Sequence, residues 1–144
     1  MKFTDSEVYK LHELVIRLDT IAQRAVLAPI GLTYAEFLVL MAVKEIPQPR
    51  QQDVSEMIGA SKSLVSQRVK ALTEKRLLLQ AVNRDNRREH RLELTRKGSE
   101  VLGAAYAALL EAANGVFAVL GKERVALNGL LDRMLEQIKK IESA

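Results

Sequence analysis

The sequence contains no cysteine and no tryptophan in 144 residues. Without cysteine, disulfides, thiolate metal sites and a thiol redox switch are excluded. Aromatic residues are scarce at 4%, so the 48% of hydrophobic residues must build a core from Leu, Val, Ile and Ala. That composition suits packed helices better than a β-sandwich. Histidine is represented only by His12 and His90, neither with a second ligand at metal spacing. There is no G-x-S-x-G, no Gly-rich phosphate loop and no H-E-x-x-H. No catalytic residue, metal or cofactor is therefore expected, and the residues do not suggest an enzyme. The N-terminus MKFTDSEVYK carries Asp5 and Glu7 and lacks an apolar signal-like run. No apolar stretch is expected to span a bilayer, which implies a cytoplasmic chain with no membrane partner.

The informative stretch runs from Ser61 to Gly98. Its pattern predicts a helix, a strand, an arginine-rich turn and a second strand. On the helix, Val65, Val69 and Leu72 fall on one side at i, i+4, i+7, while Ser63, Ser66, Gln67 and Lys70 lie opposite. Ser61 is placed to cap the first turn. Hydroxyl, amide and ammonium groups on one face suit phosphates and base edges; the plainer reading is a solvated surface helix. The strands are Leu77–Val82 and Glu89–Leu94, with Arg84, Arg87 and Arg88 around the turn between them. Such a tip can enter a minor groove, or it can merely blunt an edge hairpin with charge. Between Ser61 and Lys97 eleven Lys and Arg stand against four Asp and Glu, a net +7 in a chain whose total is +4. The positive charge is thus concentrated where a polyanion would dock.

Around this stretch the pattern is helical. Thr4 with Glu7 and Thr33 with Glu36 are spaced as capping boxes. The first predicts a helix with an apolar stripe from Val8 to Val26, the second a nearly all-apolar buried helix from Tyr34 to about Lys44. Gln51 to Ile58 reads as a short helix closed by the turn residue Gly59. Thr95 can cap a long alanine-rich helix to about Leu120, broken by Gly121, and a last helix follows to about Ile141. Glu36, Asp53 and Glu56 read as caps or surface charges. The expected fold is mainly α with one small β-hairpin, a winged helix-turn-helix with N- and C-terminal dimerisation helices. Residues 1–144 are expected to form one domain, with the winged lobe at about 33–98 and the dimerisation helices at about 4–28 and 99–142. The terminal stripes hold more apolar surface than a thin lobe covers, which predicts a homodimer.

Several segments together resemble the multiple-antibiotic-resistance regulator (MarR) family of winged-helix transcription factors. They are Gly31-Leu32-Thr33 with Phe37 and Leu40, Val54 to Gly59, and Ser61 to Ser66 with Leu72. Asn86-Arg87-Arg88 and Leu94-Thr95-Arg96-Lys97-Gly98 complete the likeness, which covers nearly the whole chain in element order. Two positions depart from the family pattern. Asn86 stands where an Asp usually precedes the wing arginine, and Arg76 stands where a Gly usually follows the recognition helix. The resemblance implies a dimeric, sequence-specific DNA-binding regulator of pseudo-palindromic double-stranded sites, a repressor released by a small aromatic or phenolic effector. On that reading Ser63, Ser66, Gln67 and Lys70 face base edges, Ser61 and Lys62 hold phosphate, and Arg84, Arg87 and Arg88 serve the wing. Tyr9, His12 and Arg17 are effector-site candidates by location alone. The competing readings are a winged-helix protein-interaction module that does not bind DNA and a ligand-binding enzyme on the same scaffold.

Overall fold

The computed structural model describes residues 1–82 and 90–144, which divide into two compact units, Met1–Leu109 and Leu110–Ala144. The first unit opens with a 3-10 turn at Phe3–Asp5 and helix α1 at Glu7–Ile21. Ser6, not Thr4, caps α1: its Oγ accepts the Tyr9 N–H at 3.3 Å and donates to the Phe3 carbonyl at 2.6 Å. The expected Thr4–Glu7 capping box is corrected because Asp5 takes the Lys2 N–H at 3.2 Å and winds residues 3–5 into their own turn.

No residue of α1 is buried. The helix then passes through a π-helical turn at Ala22–Leu27, where the Ala28 N–H bonds back to the Gln23 carbonyl, and ends in the single turn α2 at Ala28–Ile30. Beyond the wider turn, Val26 and Leu27 face the core. Gly31, at φ 85°, ends this run in the left-handed region that glycine adopts without penalty.

Helix α3 (Tyr34–Glu45) starts on the predicted box: Thr33 Oγ1 accepts the Glu36 N–H at 3.1 Å, and Glu36 Oε1 accepts the Thr33 N–H at 3.0 Å. It is central, burying Phe37, Val39, Leu40, Ala42 and Val43. Helix α4 (Gln51–Ile58) ends at Gly59, φ 67°, and α5 (Lys62–Glu74) follows. Strands β1 (Leu78–Val82) and β2 (His90–Leu94) pair antiparallel from Leu78 opposite Leu94 to Val82 opposite His90. Leu92 also donates its N–H to the Pro49 carbonyl at 2.8 Å, tying the sheet to the loop after α3. Val65, Val69 and Leu72 of α5 are fully buried, and Leu40, Val54, Leu78 and Leu92 are equally enclosed in this core.

The junction after α5 is tightly built. Arg76 adopts φ 60°, so the backbone takes the left-handed turn although the residue is not glycine. Its carbonyl accepts Thr95 Oγ1 at 2.7 Å, and the Leu77 carbonyl accepts the Thr95 N–H at 3.0 Å. Thr95 Oγ1 in turn accepts the Gly98 N–H at 2.9 Å, opening helix α6 (Arg96–Phe117). A side chain at Gly98 would overlap the Leu77 carbonyl, so the start of this helix lies directly against the backbone that leads into β1.

In the second unit α6 continues into a 3-10 turn at Ala118–Leu120, Gly121 breaks it at φ 55°, and α7 spans Glu123–Glu142. Arg124 lies over the Phe117 ring at 5.5 Å and bonds Asn114 Oδ1 at 2.6 Å. No residue of α7 is buried, and Val125, Leu130, Met134, Leu135, Ile138 and Ile141 are exposed. The expectation that no apolar stretch could span a bilayer is corrected. Arg96–Leu120 is a 25-residue helix that holds a stretch long and apolar enough to cross a membrane by length and composition alone. The reason is local: between Val101 and Leu120 the sole charged residue is Glu111.

Candidate nucleic-acid interface

Helix α5 is anchored by one face and open on the other. Ser61 caps it, its side chain accepting the Leu64 N–H at 3.1 Å, as the sequence predicted. With Val65, Val69 and Leu72 turned into the core, Ser61, Lys62, Ser63, Ser66, Gln67 and Lys70 are all exposed. The structure therefore brings these six predicted residues onto one accessible surface at the N-terminal and outer side of the helix. No acid lies in the first turn, and the positive end of the helix dipole adds to the Lys62 ammonium there. Arg84, Arg87 and Arg88, with Asn86, lie in 83–89, outside the described residues. Their strands are placed: β1 and β2 are buried at Leu78 and Leu92 and exposed at the paired ends Val82 and His90.

The helix preceding α5 is fixed by a basic–acidic contact at its start. Arg50 donates from its backbone N–H, Nε and Nη2 to the Asp53 carboxylate at 2.9, 3.0 and 2.9 Å. The Arg50 side-chain and backbone hydrogen bonds, and the charges of Arg50 and Arg91, outweigh the smaller effect of burial and hold the Asp53 carboxyl down at about 2. Sequence spacing carried a signal for this pair, since Arg50 and Asp53 occupy N-cap and N3 of α4. Arg68, on the flank of α5, was counted only as a charge. Its Nε is buried without a hydrogen-bond partner among the described residues.

Glu36 is not a surface charge or a cap alone. It is 2% exposed, and Lys75 donates to both of its oxygens at 3.0 and 2.8 Å and to the Gly31 carbonyl at 2.9 Å. Burial would raise the Glu36 carboxyl, but hydrogen bonds from Lys75 and Thr33 and the Lys75 charge bring it below its ordinary value. The partners lie 39 residues apart, and no local pattern announces the pair.

The effector-site candidates are not brought together. Tyr9 is half-buried and packs edge-on to Phe3 at 5.9 Å, His12 is exposed, and Arg17 pairs with Glu13 at 2.9 Å. Along a helix Tyr9 and Arg17 stand about 12 Å apart. Among the described residues no group of three or more His, Cys, Asp or Glu is arranged to hold a metal ion.

A helix-turn-helix of α4 and α5 followed by a two-stranded wing defines a winged helix-turn-helix protein. A model of the MarR family matches residues 30–89, which hold α3, α4, α5 and β1 and stop just before β2. Solved structures align along almost the whole chain. The repressor CouR bound to a 23-mer DNA duplex is 26% identical, with 92% of this chain and 94% of that one aligned and a TM-score of 0.80. BpsR of Bordetella bronchiseptica, whose DNA binding is regulated by 6-hydroxynicotinic acid, is 24% identical over 93% and 96%, also at 0.80. CouR from Rhodococcus jostii RHA1 bound to p-coumaroyl-CoA is 20% identical over 98% and 94%, again at 0.80. No curated protein matches the sequence significantly. The match to the MarR family model is confined to residues 30–89, and the fold of the chain is that of the aligned transcriptional repressor.

Proposed function

We propose that this chain is a sequence-specific DNA-binding transcriptional regulator that acts as a homodimer, a repressor released by a small-molecule effector. The observation that carries the reading is α5. Its buried Val65, Val69 and Leu72 hold it rigidly, and its exposed Ser63, Ser66, Gln67 and Lys70 present donors and acceptors with no acid among them. In the proposed complex these four side chains meet base edges in the major groove. Ser61 and Lys62 hold phosphate, and Arg84, Arg87 and Arg88 reach the flanking minor groove.

The dimer reading is supported by the exposed apolar residues of the terminal helices. Val8, Leu11, Leu14 and Val15 of α1 are all open in the single chain, as are Leu135, Ile138 and Ile141 of α7. Contiguous apolar surface of this kind marks an association face. The apolar Arg96–Leu120 helix would meet a second copy rather than lipid, in keeping with a cytoplasmic regulator. A winged lobe at about 33–98 would then be carried on dimerisation helices at about 4–28 and 99–142, reading a pseudo-palindromic site. An aromatic acid is the effector class to test first, since BpsR responds to 6-hydroxynicotinic acid and CouR was solved with p-coumaroyl-CoA.

The test is a mobility shift with duplex pools at several salt concentrations. A DNA-binding dimer gives a shifted complex whose affinity falls steeply with salt. Gln67→Ala and Lys70→Ala should each lower discrimination at particular base pairs by about 1–3 kcal/mol. Absence of any complex at low salt would move the protein-interaction reading ahead.

A further inference from the structure

Three side chains from three helices converge on the short linker 31–34. Gln23, in the π-helical turn after α1, donates from Nε2 to the Leu32 carbonyl at 3.2 Å and accepts the Tyr34 N–H at Oε1 at 2.7 Å. Glu36 of α3 accepts the Thr33 N–H. Lys75, at the C-terminal end of α5, donates to the Gly31 carbonyl and to both Glu36 oxygens. Four backbone groups of the linker, the Gly31 and Leu32 carbonyls and the Thr33 and Tyr34 N–H groups, are thus held by side chains, and the one side chain that comes from α5 is Lys75. On its other side the backbone of this junction is tied to α6 through Thr95.

We infer that Lys75 is a positioning residue for DNA binding: its hold on Gly31 and Glu36 sets the angle of α5, and with it the half-site spacing that a dimer accepts. This rests on the homodimer reading above. The argument is one of leverage. Lys75 lies at one end of α5 and Ser63 at the other, about 18 Å away at the rise of an α-helix. A tilt of about 10° about the Lys75 end displaces Ser63 by about 3 Å, close to the rise of one base pair. Within one lobe such a tilt is absorbed by docking the lobe differently. Between two lobes on a common platform it changes which half-site separation fits, because that separation must match a helical repeat. The tie is shielded from water on the carboxylate side, where the Glu36 side chain is 3% exposed, while the Lys75 side chain is 42% exposed.

Lys75→Met alone leaves the Glu36 carboxylate buried and unpaired and so lowers stability. The main probe is therefore Lys75→Met with Glu36→Gln, whose amide can still accept the Thr33 N–H. Lys75→Arg serves as the conservative rescue. Full-length proteins are titrated against the duplex that the wild type selects from a random pool, against the same duplex with one base pair inserted or removed between half-sites, and against a single half-site. Urea unfolding is recorded in parallel. The inference expects half-site affinity within about twofold of wild type and discrimination between spacings reduced about tenfold, with Lys75→Arg restoring most of it. Equal weakening of the half-site and of every spacing, or unchanged discrimination in a folded double variant, overturns it. A double variant that does not fold hands the decision to Glu36→Gln alone, which removes the ion pair with Lys75 while an amide oxygen can still accept the Thr33 N–H, and which must reduce discrimination between spacings or the inference fails. A wild type without any spacing preference overturns the dimer reading, and this inference with it; failure confined to the variants leaves the dimer reading standing.

Discussion

Replacing Gly98 by alanine adds one methyl group, yet it should be among the most damaging changes available in α6. The added Cβ would overlap the Leu77 carbonyl oxygen and lie 2.9 Å from its carbon, where ordinary contacts begin near 3.4 Å. The obstacle is backbone, so no rotamer change relieves it. Either the α6 N-terminus or the start of β1 must move. Movement strains three hydrogen bonds: Thr95 N–H to Leu77, Thr95 Oγ1 to Arg76, and Gly98 N–H to Thr95 Oγ1. Losing most of their net contribution costs about 2 kcal/mol. Overpacking adds about 1–3 kcal/mol, and the better helix propensity of alanine returns about 1 kcal/mol. The net loss is about 2–4 kcal/mol, or a fall in Tm of about 4–16 °C for a chain of this size. Gly103 in the same helix is the control, because a Cβ there meets nothing within 4 Å. Gly103→Ala should gain about 1 kcal/mol. Urea titrations followed by circular dichroism, with m-values compared, read both. Two substitutions of the same sign, or a Gly98→Ala protein as stable as wild type, would refute the reasoning.

Arg76→Gly should stabilise the chain by about 0.5–1 kcal/mol, since the left-handed backbone strain relieved exceeds the extra freedom of the unfolded chain; an unchanged or lower urea midpoint would count against it. The Asp53 carboxyl, ordinarily near 3.8 and held at about 2, is lower when folded, so its contribution is full above pH 4 and is lost as pH falls toward 2. With the Arg50 head 42% exposed, that contribution is about 1 kcal/mol, and Asp53→Asn should flatten the acid limb of a stability–pH curve. Glu36 is shifted in the same direction, so Glu36→Gln should flatten it further. Leu135→Glu with Ile138→Glu, on the exposed face of α7, should shift sedimentation from dimer to monomer while the circular dichroism of the winged lobe is kept; an unmoved dimer would place the interface elsewhere.

Local chemistry was the legible part of this chain. The Thr33–Glu36 box, the Ser61 cap and the turns at Gly31, Gly59 and Gly121 are short-range patterns, each determined by a few neighbouring residues. The split of α5 into a buried and an open face follows from its 3.6-residue period in the same way. At the N-terminus two local options competed, and the Asp5 contact with the Lys2 N–H gave the cap to Ser6 instead of Thr4. Lys75 and Glu36 were illegible for the opposite reason: each looks like an ordinary surface charge until the chain between them folds. The left-handed turn at Arg76 shows tertiary ties through Thr95 overriding a residue preference. The apolar length of α6 escaped because alanine and glycine read as filler in a helical stripe, although together they leave a long run with Glu111 as its sole charge.

The π-helical turn at Ala22–Leu27 gives the first helix a fixed phase, like a key on a shaft. The Ala28 N–H reaches back five residues, so the backbone carries one more residue here than an α-helix would. Removing a residue from this turn would restore the ordinary ladder and rotate everything before it by about 100° relative to Val26 and Leu27. Gln23 would leave Leu32 and Tyr34, and the stripe of Val8, Leu11 and Val15 would point in a new direction. Insertions and deletions inside this turn are therefore permitted only in steps that preserve the angle, which makes it a poor place to lengthen the chain. Additions ahead of Ser6, where the α1 cap begins, leave that phase untouched.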